Sequence, residues 1–463
     1  MSLGSDLYYI LEKAETSGAS YADLRYQEYI YENILVENRV LKNYSSRKFS
    51  GVGIRVFVDG GIGYASTCNI NRENLMSTLN NAINVAKALG EKEKRKLDFE
   101  INSANVKSNF KVDPIDVSPE EKVSIALDAN KSAFIGDKIK NAVTRLGFSK
   151  DYRLFMSTAG AKVSVETVMS GLGHESVAKS SVSLERVGYS ESKCAGFEFI
   201  DSKDWNNFST ELSKLAIEAS EAGTPPAGTY PVVVDPDVIG LLLHEAFGHA
   251  SEGDLVSTQE SVLFGKVGQK VASEHVTIVD DNVEGGYFYP YDDEGTAKKR
   301  VVVVEDGTLR GYIHDASSAK RLNAHLTGNG RAQDFENIPI VRQTNYFMLP
   351  KDYDFEELIE DIDYGIYVGG KGATGGQVDV GMGTFTFSVG PSKIIRNGRL
   401  AETVKGVVIS GLILDTLKTI DAVGKDLTIR TNVFGGCGKM GQTVRVGFGG
   451  PHVRVQKMIV GGR

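Results

Sequence analysis

Apolar residues recur at helical spacing in three stretches of the first half of the chain. The first stretch covers residues 71–89, where apolar side chains repeat every three or four positions: Leu75, Leu79, Ile83, Ala86 and Leu89. This spacing predicts an amphipathic helix. A second helix is predicted to begin at Ser118, because serine caps helices well, Pro119 suits the first turn and Glu121 completes a capping box. The third predicted helix covers Asp204 to Ala222 and ends at a glycine.

Alternating apolar and polar residues predict antiparallel strands between these helices. Val52–Val58 and Ile62–Ser66 flank an Asp-Gly-Gly sequence, which favours a tight hairpin turn. Two further alternating stretches cover Lys162–Val168 and Ser180–Glu185. The first half carries no recognisable catalytic motif, so it is interpreted as a scaffold or as a housing for substrate.

The second half of the chain is richer in strands and in glycine. Val301–Val304 and Leu309–Ile313 flank a Glu-Asp-Gly turn and predict another hairpin. Glycine is concentrated at residues 369–383 and 435–450, and the first of these stretches runs into a predicted strand at Thr384–Val389. Such density indicates tight turns or close approach of a second backbone.

Prolines divide the chain near its middle. Four of the 11 prolines lie in Glu221–Asp237, and proline disfavours helix in the residue before it, so an extended linker is predicted. The predicted fold class is α+β with two domains. Residues 1–222 form a mixed helix and antiparallel-sheet domain, 223–236 form the linker, and 237–463 form a strand- and glycine-rich domain containing a buried helix with two histidines.

Composition and charge narrow the class of protein. The chain has 463 residues, with 52 Lys and Arg against 60 Asp and Glu, a net charge of −8 that disfavours a broad electrostatic contact with nucleic acid. No apolar run approaches the roughly 18 residues that span a bilayer. Three cysteines, at positions 68, 194 and 437, are too few for a disulfide framework. We therefore expect a cytoplasmic protein with reduced thiols and no membrane segment.

The segment Val232–Asp254 carries the most distinctive chemistry of the sequence. Its first three valines predict a buried strand, Asp235 is a suitable helix cap, and Pro236 suits the first helical position. The helix that follows is apolar on nearly all sides and is expected to be buried. It carries two histidines and a glutamate into that interior, which is costly unless a group such as a divalent metal compensates.

These three residues, His244, Glu245 and His249, form an H-E-x-x-x-H pattern, one residue longer than the H-E-x-x-H zinc helix. On a regular helix, positions i and i+5 lie about 140° apart and do not share a face. Gly248 permits a local break, and an i→i+5 bulge between Ala246 and His249 is the predicted solution. On spacing alone, a pair of core histidines bonded to backbone carbonyls is the alternative.

A catalytic zinc needs a third protein ligand and one open position. The candidate third ligands are distributed over the chain: His275, His314, His325, Glu252, Asp254, Cys68, Cys194 and Cys437. Cys437 is favoured because flanking glycines let its backbone approach closely and Lys439 favours a thiolate. A buried, inert cysteine is the alternative. Glu252 and Asp254 are also interpreted as partners that orient the histidines, or as a solvated helix end.

Five motifs in the second half, in this order, resemble the TldD/PmbA family of zinc metallopeptidases, and within it the TldD-type subunit. They are HEAFGHASEGD at 244–254, DDEGT at 292–296, TGNGR at 327–331, GGQVDV at 375–380 and CGKMGQ at 437–442. The first half is similar to the family only in general pattern. Ala297 stands where the family is expected to have proline, in a loop outside the metal-binding motifs.

The resemblance implies a zinc-dependent peptidase that acts on unfolded or flexible peptides. It assigns zinc binding to His244, His249 and Cys437, and general acid/base catalysis to Glu245. Family members were earlier described as modulators of DNA gyrase. The TldD-type subunit commonly pairs with a PmbA-type (TldE) subunit that lacks the metal motif, so a homodimer or a heterodimer of that kind is expected.

Substrate contacts are predicted from glycine and arginine positions. The strands around 375–389, which include Gly376, offer an edge to which an extended peptide adds through main-chain hydrogen bonds. Arg331 follows a Gly-Asn-Gly sequence and is a candidate for holding a substrate carboxylate or carbonyl; an exposed structural arginine is the alternative.

Two functions other than a peptidase are open at this stage. One is a non-enzymatic peptide-binding or holding subunit with a structural zinc, whose four positions are all filled by protein ligands. The other is a role in DNA topology, which the charge of −8 and the lack of a basic, aromatic-rich segment disfavour.

Overall fold

The computed structural model describes residues 3–90 and 97–462, and its architecture is α+β, as predicted. Helix accounts for 24% and strand for 41% of it. The elements fall into two groups, one before and one after residue 223.

The first group consists of helices and long strands. Its helices are α1 (Leu3–Thr16), α2 (Arg72–Ala88), α3 (Pro119–Ser132), α4 (Glu198–Asp201) and α5 (Trp205–Glu221), with a 3₁₀ turn at Pro114–Asp116. Its strands are β1 (Tyr21–Glu37), β2 (Val40–Val58), β3 (Gly61–Thr67), β4 (Ser103–Lys107), β5 (Ile139–Ser157), β6 (Lys162–Lys179) and β7 (Leu184–Lys193).

These strands form one seven-stranded sheet with two different faces. The order is β3-β2-β1-β5-β6-β4, with β7 also paired to β6, and the pairing is antiparallel except between β4 and β6. Helices cover one face, where α1 and α2 pack on Ala22, Leu24 and Ile54, and α3 packs on Ile34 and Leu146. Because side chains alternate along a strand, the residues between these point to the opposite face.

The helix starts and the first hairpin predicted from the sequence are confirmed. The Ser118 hydroxyl accepts the Glu121 N–H at 3.2 Å, and Pro119 occupies the first position of α3. Val58 pairs with Gly61 across the predicted hairpin turn. Local turn and capping chemistry is sufficient to specify these features.

One strand prediction in this half is wrong at its start. β6 continues to Lys179 and β7 begins at Leu184, so most of Ser180–Glu185 is the turn between them. The Ser180 hydroxyl accepts the Val182 N–H at 3.0 Å. This contact favours a turn over an extended strand.

The second group has short helices and many short strands. Its α-helices are α6 (Pro236–Leu242), α7 (Gly253–Ser257), α8 (Ala316–Leu322), α9 (Phe355–Ile359) and α10 (Ile413–Lys418). Between α6 and α7 lie a π-helical turn, Leu243–Gly248, and a 3₁₀ turn, His249–Ser251. Its strands are β8 (Gly228–Val234), β9 (Ile278–Asp280), β10 (Val301–Glu305), β11 (Thr308–Leu309), β12 (Gly330–Arg331), β13 (Ile340–Val341), β14 (Asn345–Met348), β15 (Tyr364–Val368), β16 (Gly375–Asp379), β17 (Thr384–Ser388), β18 (Ser392–Arg396), β19 (Arg399–Val404), β20 (Val407–Leu412), β21 (Ile420–Val423), β22 (Thr428–Thr431), β23 (Cys437–Lys439), β24 (Gln442–Val444), β25 (Gly447–Gly450) and β26 (Val453–Gly462).

Most of these strands belong to two large sheets. One sheet has nine strands in the order β16-β17-β20-β26-β8-β15-β18-β19, with β21 paired to β26; the other has six in the order β11-β10-β9-β14-β25-β22. Helix α6 contributes Val238 and Leu242 to the core that contains Val232 of the nine-stranded sheet and Ile278 of the six-stranded sheet. Apolar residues on all sides of α6 therefore find partners in both sheets.

The predicted linker is shorter than the sequence indicated. β8 lies between β26 and β15 in the nine-stranded sheet, so residues 228–234 are not linker. The valines at the end of β8 are fully buried or nearly so. The free energy gained by burying them exceeds the preference of the nearby prolines for an unpaired, extended chain. The division into domains at 1–222 and 237–463 stays a prediction.

The predicted hairpin at residues 301–313 is confirmed only in its first strand and its turn. Glu305 pairs with Thr308, but β11 ends at Leu309. Beyond it the chain turns toward α7, where the carbonyl of Ile313 accepts the Gly253 N–H at 2.9 Å. Main-chain bonds to the helical region thus replace the expected strand pairing.

Buried ion pairs join the second face of the seven-stranded sheet to the second group. Arg55 bonds Glu294 at 2.7 Å, and both side chains are at most 5% exposed. Arg153 donates to both carboxylate oxygens of Asp293 at 2.9 Å. These carboxylates belong to the DDEGT motif at 292–296, so two of its three acidic residues join the two halves of the chain.

Candidate metal centre

The helix that carries the first histidine begins directly at the end of β8. Asp235 caps α6, where its carboxylate accepts the Val238 N–H at 2.9 Å, and Pro236 occupies the first helical position, as predicted. Gly240 lies so close to β25 that a β-carbon on it would be 2.6 Å from the Cα of Gly449. The helix is therefore fixed at its start and along its side before it reaches the histidines.

The predicted irregular helix geometry before His249 is confirmed. Leu243–Gly248 is π-helical, and the His249 N–H donates to the carbonyl of His244, five residues earlier. The bulge brings the two imidazoles together, with their ring centroids 5.2 Å apart. Gly248 lets the Gln343 side chain pack against the bulge, because a β-carbon at this position would lie 2.2 Å from that side chain.

Three side chains converge beside this turn. His244, His249 and Cys437 each offer one ligand atom, and these atoms lie within 4.8 Å of one another. The Sγ atom of Cys437 is 3.0 Å from Nε2 of His249, although 188 positions separate the two residues in the sequence. Within residues 3–90 and 97–462, no other group of three or more His, Cys, Asp or Glu side chains has the geometry of a metal site.

The chemistry of these three donors fits a zinc ion. Two imidazoles and a thiolate are ordinary zinc ligands. Burial raises the pKa of the Cys437 thiol, but His244 and His249 outweigh burial and lower that pKa to about 4. The Nδ1 atom of His244 is buried and has no hydrogen-bond partner among the described residues. Buried polar nitrogens are normally paired, and a metal cation bound by the three side chains would satisfy this one.

A carboxylate orients the second imidazole. Nδ1 of His249 lies 3.0 Å from Glu252, whose side chain is fully buried. A carboxylate only accepts, so Nδ1 carries the proton and Nε2 is left to face Cys437. Burial lowers the pKa of His249, but Glu252 and then Cys437 raise it well above its usual range. A proton and a metal ion therefore compete for Nε2.

Lys439 connects the cysteine hairpin to the helix side of the site. Its ammonium group donates to Glu252 at 2.8 Å and to both oxygens of Asp254, at 2.8 and 2.7 Å. Burial raises the pKa of Glu252, but His249 and Lys439 outweigh burial and lower it to about 2. The geometry of Glu252 matches that of a partner that orients a histidine, whereas Asp254 pairs with Lys439.

Glu245 lies at the open side of the group. Its side chain is 35% exposed, whereas that of His249 is 11% exposed, and one of its oxygens is 3.9 Å from Nε2 of His249. A carboxylate in this place is next to the ligand atoms and still reachable by solvent.

The other candidate ligands lie outside the group or bind other partners. None of the following belongs to the ligand group found among the described residues: His275, His314, His325, Cys68 and Cys194. Nδ1 of His314 is 3.2 Å from the Ser318 hydroxyl. The sulfur of Cys194 accepts the Phe288 N–H at 3.3 Å, and burial raises its pKa to about 12.

Arg331 does not have the exposure expected of a substrate contact. It is 2% exposed, and its two terminal nitrogens donate to the carbonyls of Gln343 and Arg445. Its guanidinium stacks on Tyr289, 4.2 Å from the ring centroid. The exposed structural arginine does not match this environment, and the contact of Arg331 with substrate stays a prediction.

Gly376 lies in β16, at the edge of the nine-stranded sheet. Among the described strands, β16 pairs only with β17, and it packs against the π-helical turn at 243–248. A β-carbon on Gly376 would be 1.9 Å from the carbonyl of Thr386, so the glycine permits close pairing with β17. Its predicted contact with substrate stays a prediction.

A groove lies between the seven-stranded sheet and the second group. Its volume is about 650 Å³, and its lining includes Leu241, Gly375, Phe434 and Phe448. The ring of Phe448 lies 5.9 Å from that of His244. The first histidine therefore lies next to a residue of the groove lining, and Gly375 of the edge strand lines the same groove.

Two further candidate residues of the site carry no sequence motif. Arg342 donates to the carbonyls of Cys437 and Gln442, and Gln343 donates to the carbonyl of His244 at 2.9 Å. They occupy an ordinary polar stretch, and their role depends on contacts between distant segments, which spacing does not encode.

Three family models match the chain. They are the PmbA/TldA metallopeptidase domain 1 at residues 22–86, the central domain at residues 112–221 and the C-terminal domain at residues 227–462. Together they cover well over half of the chain.

Curated relatives align with almost the whole chain. A metalloprotease of Methanocaldococcus jannaschii is 37% identical over 452 residues, which cover 96% of this chain and 98% of the relative. A zinc metalloprotease TldD homolog of Saccharolobus solfataricus is 29% identical over 467 residues, which cover 98% of this chain and 100% of the relative.

Solved structures share the fold. A Thermotoga maritima protein described as a modulator of a DNA gyrase has a TM-score of 0.83 at 20% identity, with 99% of this chain and 100% of that chain covered. TldE from Thermococcus kodakarensis has a TM-score of 0.80 at 20% identity, with the same shares covered. In the part of the chain that the structure describes, no helix combines the length and apolar character needed to cross a membrane.

Proposed function

Because the chain belongs to the PmbA/TldD family of metallopeptidases, we propose that it is a zinc-dependent peptidase that cleaves unfolded or flexible peptides. The observation that carries the proposal is the convergence of His244, His249 and Cys437 beside a partly exposed Glu245. Three protein donors leave a four-coordinate zinc one open position, as catalytic sites require. When bound, such an ion lowers the pKa of its water toward ~7 and polarises a carbonyl.

Glu245 is proposed as the general acid and base. It takes a proton from the attacking water and returns it to the leaving amine. Its place next to His244 keeps it close to the ligand atoms, and its 35% exposure leaves it accessible to water. Glu252 orients His249. Lys439 lies on the hairpin that carries Cys437, and its bond to Glu252 links that hairpin to His249.

Removal and return of zinc tests the proposal directly. The purified chain is expected to hold about one zinc per protomer, to lose cleavage of an unfolded casein when treated with a strong chelator, and to regain it with added zinc. Because a proton competes for Nε2 of His249, bound zinc should decrease as pH falls. Metal content and casein cleavage are measured on the same samples.

A structural zinc in a non-enzymatic subunit makes different predictions. It would be bound by four protein ligands, resist the chelator more strongly and support no cleavage. Zinc bound in full stoichiometry without any casein cleavage, in the chain alone and with a TldE-type partner, would favour this alternative over the peptidase.

The edge of β16 is proposed as the binding site for an extended peptide. Among the described strands, β16 has one unpaired side, which lies next to the π-helical turn, and Gly375 lines a groove that is also lined by Phe448, the aromatic neighbour of His244. A peptide added there is held by main-chain hydrogen bonds, so it must arrive unfolded while its side chains vary. This binding mode explains a preference for flexible substrates.

Proline substitutions in β16 test the edge. Along a strand the N–H groups point alternately to the neighbour and to the open edge, so one of Gln377→Pro and Val378→Pro removes an outward donor. That variant should fold normally. Its KM for a casein peptide should rise by about three- to tenfold, which corresponds to the net free energy of one hydrogen bond.

The matched controls are Gln377→Thr and Val378→Thr, which keep the main-chain N–H and suit a strand. They should leave KM near the wild-type value. If both proline variants fold and both retain the wild-type KM, the peptide does not bind at this edge.

A TldE-type partner is proposed as the other half of an assembly, because the chain keeps the metal motif that such partners lack. A second copy of this chain is the alternative. The proposed location is the cytoplasm, in keeping with free cysteines at positions 68, 194 and 437.

A further inference from the structure

Three consecutive buried residues, Val341–Gln343, lie between the two parts of the candidate metal centre; they are called the clamp segment here. The carbonyl of Val341 accepts a hydrogen bond from Lys439 at 3.2 Å. The side chain of Arg342 bonds the hairpin that carries Cys437, and the side chain of Gln343 bonds the helical turn that carries the histidines. The segment thus contacts both pieces of backbone that supply ligand atoms.

Arg342 is an unusual side chain to find in such a place. It is 0% exposed and is among the largest fully buried side chains of the described residues. It forms no ion pair with a carboxylate in the described ranges; its guanidinium donates to the carbonyl of Cys437 and, at 3.3 Å, to that of Gln442, and its Nε is without a partner there. Burying an unpaired charge is costly. Stability alone does not account for it.

The two carbonyls that Arg342 contacts lie on opposite strands of the small hairpin β23–β24. Cys437 pairs with Val444 at one end of this hairpin, and Lys439 pairs with Gln442 at the other. One guanidinium therefore holds both strands, and its planar fork gives the contact a fixed direction. This fixes where the Cys437 backbone lies.

Gln343 acts on the other side. Its amide donates to the carbonyl of His244 at 2.9 Å, the same carbonyl that accepts the His249 N–H across the π-helical turn. The close approach depends on Gly248, since a β-carbon there would clash with this side chain. Gln343 therefore fixes the carbonyl around which the bulge closes.

From these contacts we infer that Arg342 and Gln343 are positioning residues of the metal centre. They set the distance between the thiolate and the imidazoles, although neither contacts a ligand atom. The inference rests on the proposed zinc site. A small error in ligand placement is enough to weaken a metal site, so residues that fix ligand backbones are expected to govern affinity.

The test compares metal affinity with the stability of the metal-free protein. Gln343→Met keeps the side-chain length and removes the amide donor, whereas Arg342→Met keeps the first part of the aliphatic side chain and removes the guanidinium donors. Both should weaken zinc binding about 10- to 100-fold, the effect of removing a partner that supports a ligand, and change the visible spectrum of the cobalt-substituted protein. Arg342→Met should meanwhile leave the urea midpoint of the metal-free chain unchanged or raised, because an unpaired charge is removed from the interior.

Two further variants complete the design. Gln27→Met is the matched control for Gln343→Met, because Gln27 is a buried glutamine that bonds Asp151 in the first half of the chain; its zinc affinity should equal that of the wild type. Arg342→Lys keeps the charge and one donor, so it should restore part of the affinity that Arg342→Met loses.

Zinc affinities of Arg342→Met and Gln343→Met within twofold of the wild type, with unchanged cobalt spectra, would overturn the inference. Should Arg342→Met fail to fold, Arg342→Lys and Gln343→Met decide by the same criterion. If the wild-type protein binds zinc but cleaves no peptide, the peptidase proposal is wrong. The role of the clamp segment is then decided by the zinc affinities alone.

Discussion

Replacing Glu245 by Gln is expected to abolish peptide cleavage and to leave the bound zinc in place. The amide keeps the shape of the side chain but cannot take a proton from water. Loss of a general acid and base typically costs 10²- to 10⁴-fold in rate. Glu245 is not among the three clustered ligand atoms, and its side chain is partly exposed, so zinc content should stay near the wild-type value.

The measurement is the rate of casein cleavage at saturating substrate, with zinc determined on the same preparation. Glu305→Gln is the matched control, because Glu305 is an exposed carboxylate paired with Arg310; it should cleave at the wild-type rate. Cleavage by Glu245→Gln at more than a tenth of the wild-type rate would remove Glu245 from the mechanism.

Replacing Cys437 by Ser is expected to reduce zinc affinity by more than 100-fold. Loss of a partner that only supports a ligand costs 10- to 100-fold, and loss of the ligand itself should exceed that. A hydroxyl does not ionise at neutral pH, whereas the thiol does, since the flanking imidazoles outweigh burial and bring its pKa to about 4. Affinity is measured by competition with a coloured chelator.

Cys68→Ser is the control for this change, because Cys68 is exposed and outside the ligand group. Alkylation of Cys437 tests the same role of the sulfur without a substitution. Since the thiolate of Cys437 persists as pH falls to about 4, Cys437 in the metal-free protein should still react with iodoacetamide near pH 5, and zinc should protect it. Equal zinc binding by Cys437→Ser and the wild type would exclude the sulfur as a ligand.

The part of the site that lies on one helix was predictable from the sequence. Asp235 and Pro236 define the start of α6, and the apolar residues after them require burial. An i→i+5 pair of histidines on such a helix requires a bulge if the rings are to meet, and Gly248 shows where the bulge is allowed. Each of these arguments uses neighbours within a few turns, where physical rules are local.

The remainder of the site depends on contacts between distant segments. Nothing in the spacing of the chain places Cys437 beside His249; its flanking glycines and Lys439 make it a favoured candidate, and the resemblance to a known family assigns it to the ligand set. The sequence offers Arg331 as a candidate substrate contact or as an exposed structural arginine, whereas the stacking on Tyr289 that accompanies its burial is a tertiary contact. Arg342 and Gln343 carry no sequence signal for the same reason.

The fold was predicted well where turns and caps are local and less well where the ends of strands depend on packing. The hairpin at Asp59 follows from its turn residues. β8 falls in the predicted linker because Pro231 and the prolines before it favour an extended linker, and the sheet that receives the valines of β8 is not visible in the local sequence. β11 is short because the chain beyond it bonds to α7 instead.

The joint formed by Arg55 and Arg153 with the DDEGT motif has a consequence for any attempt to shorten the protein. A fragment that starts near residue 227 would retain Asp293 and Glu294 but lose both guanidinium groups that neutralise them. Both carboxylates would then be left without these counter-ions at a face that the first half normally covers. Such a truncation should be poorly soluble or misfolded even though it keeps every proposed zinc ligand, so we expect the second half to depend on the first for folding.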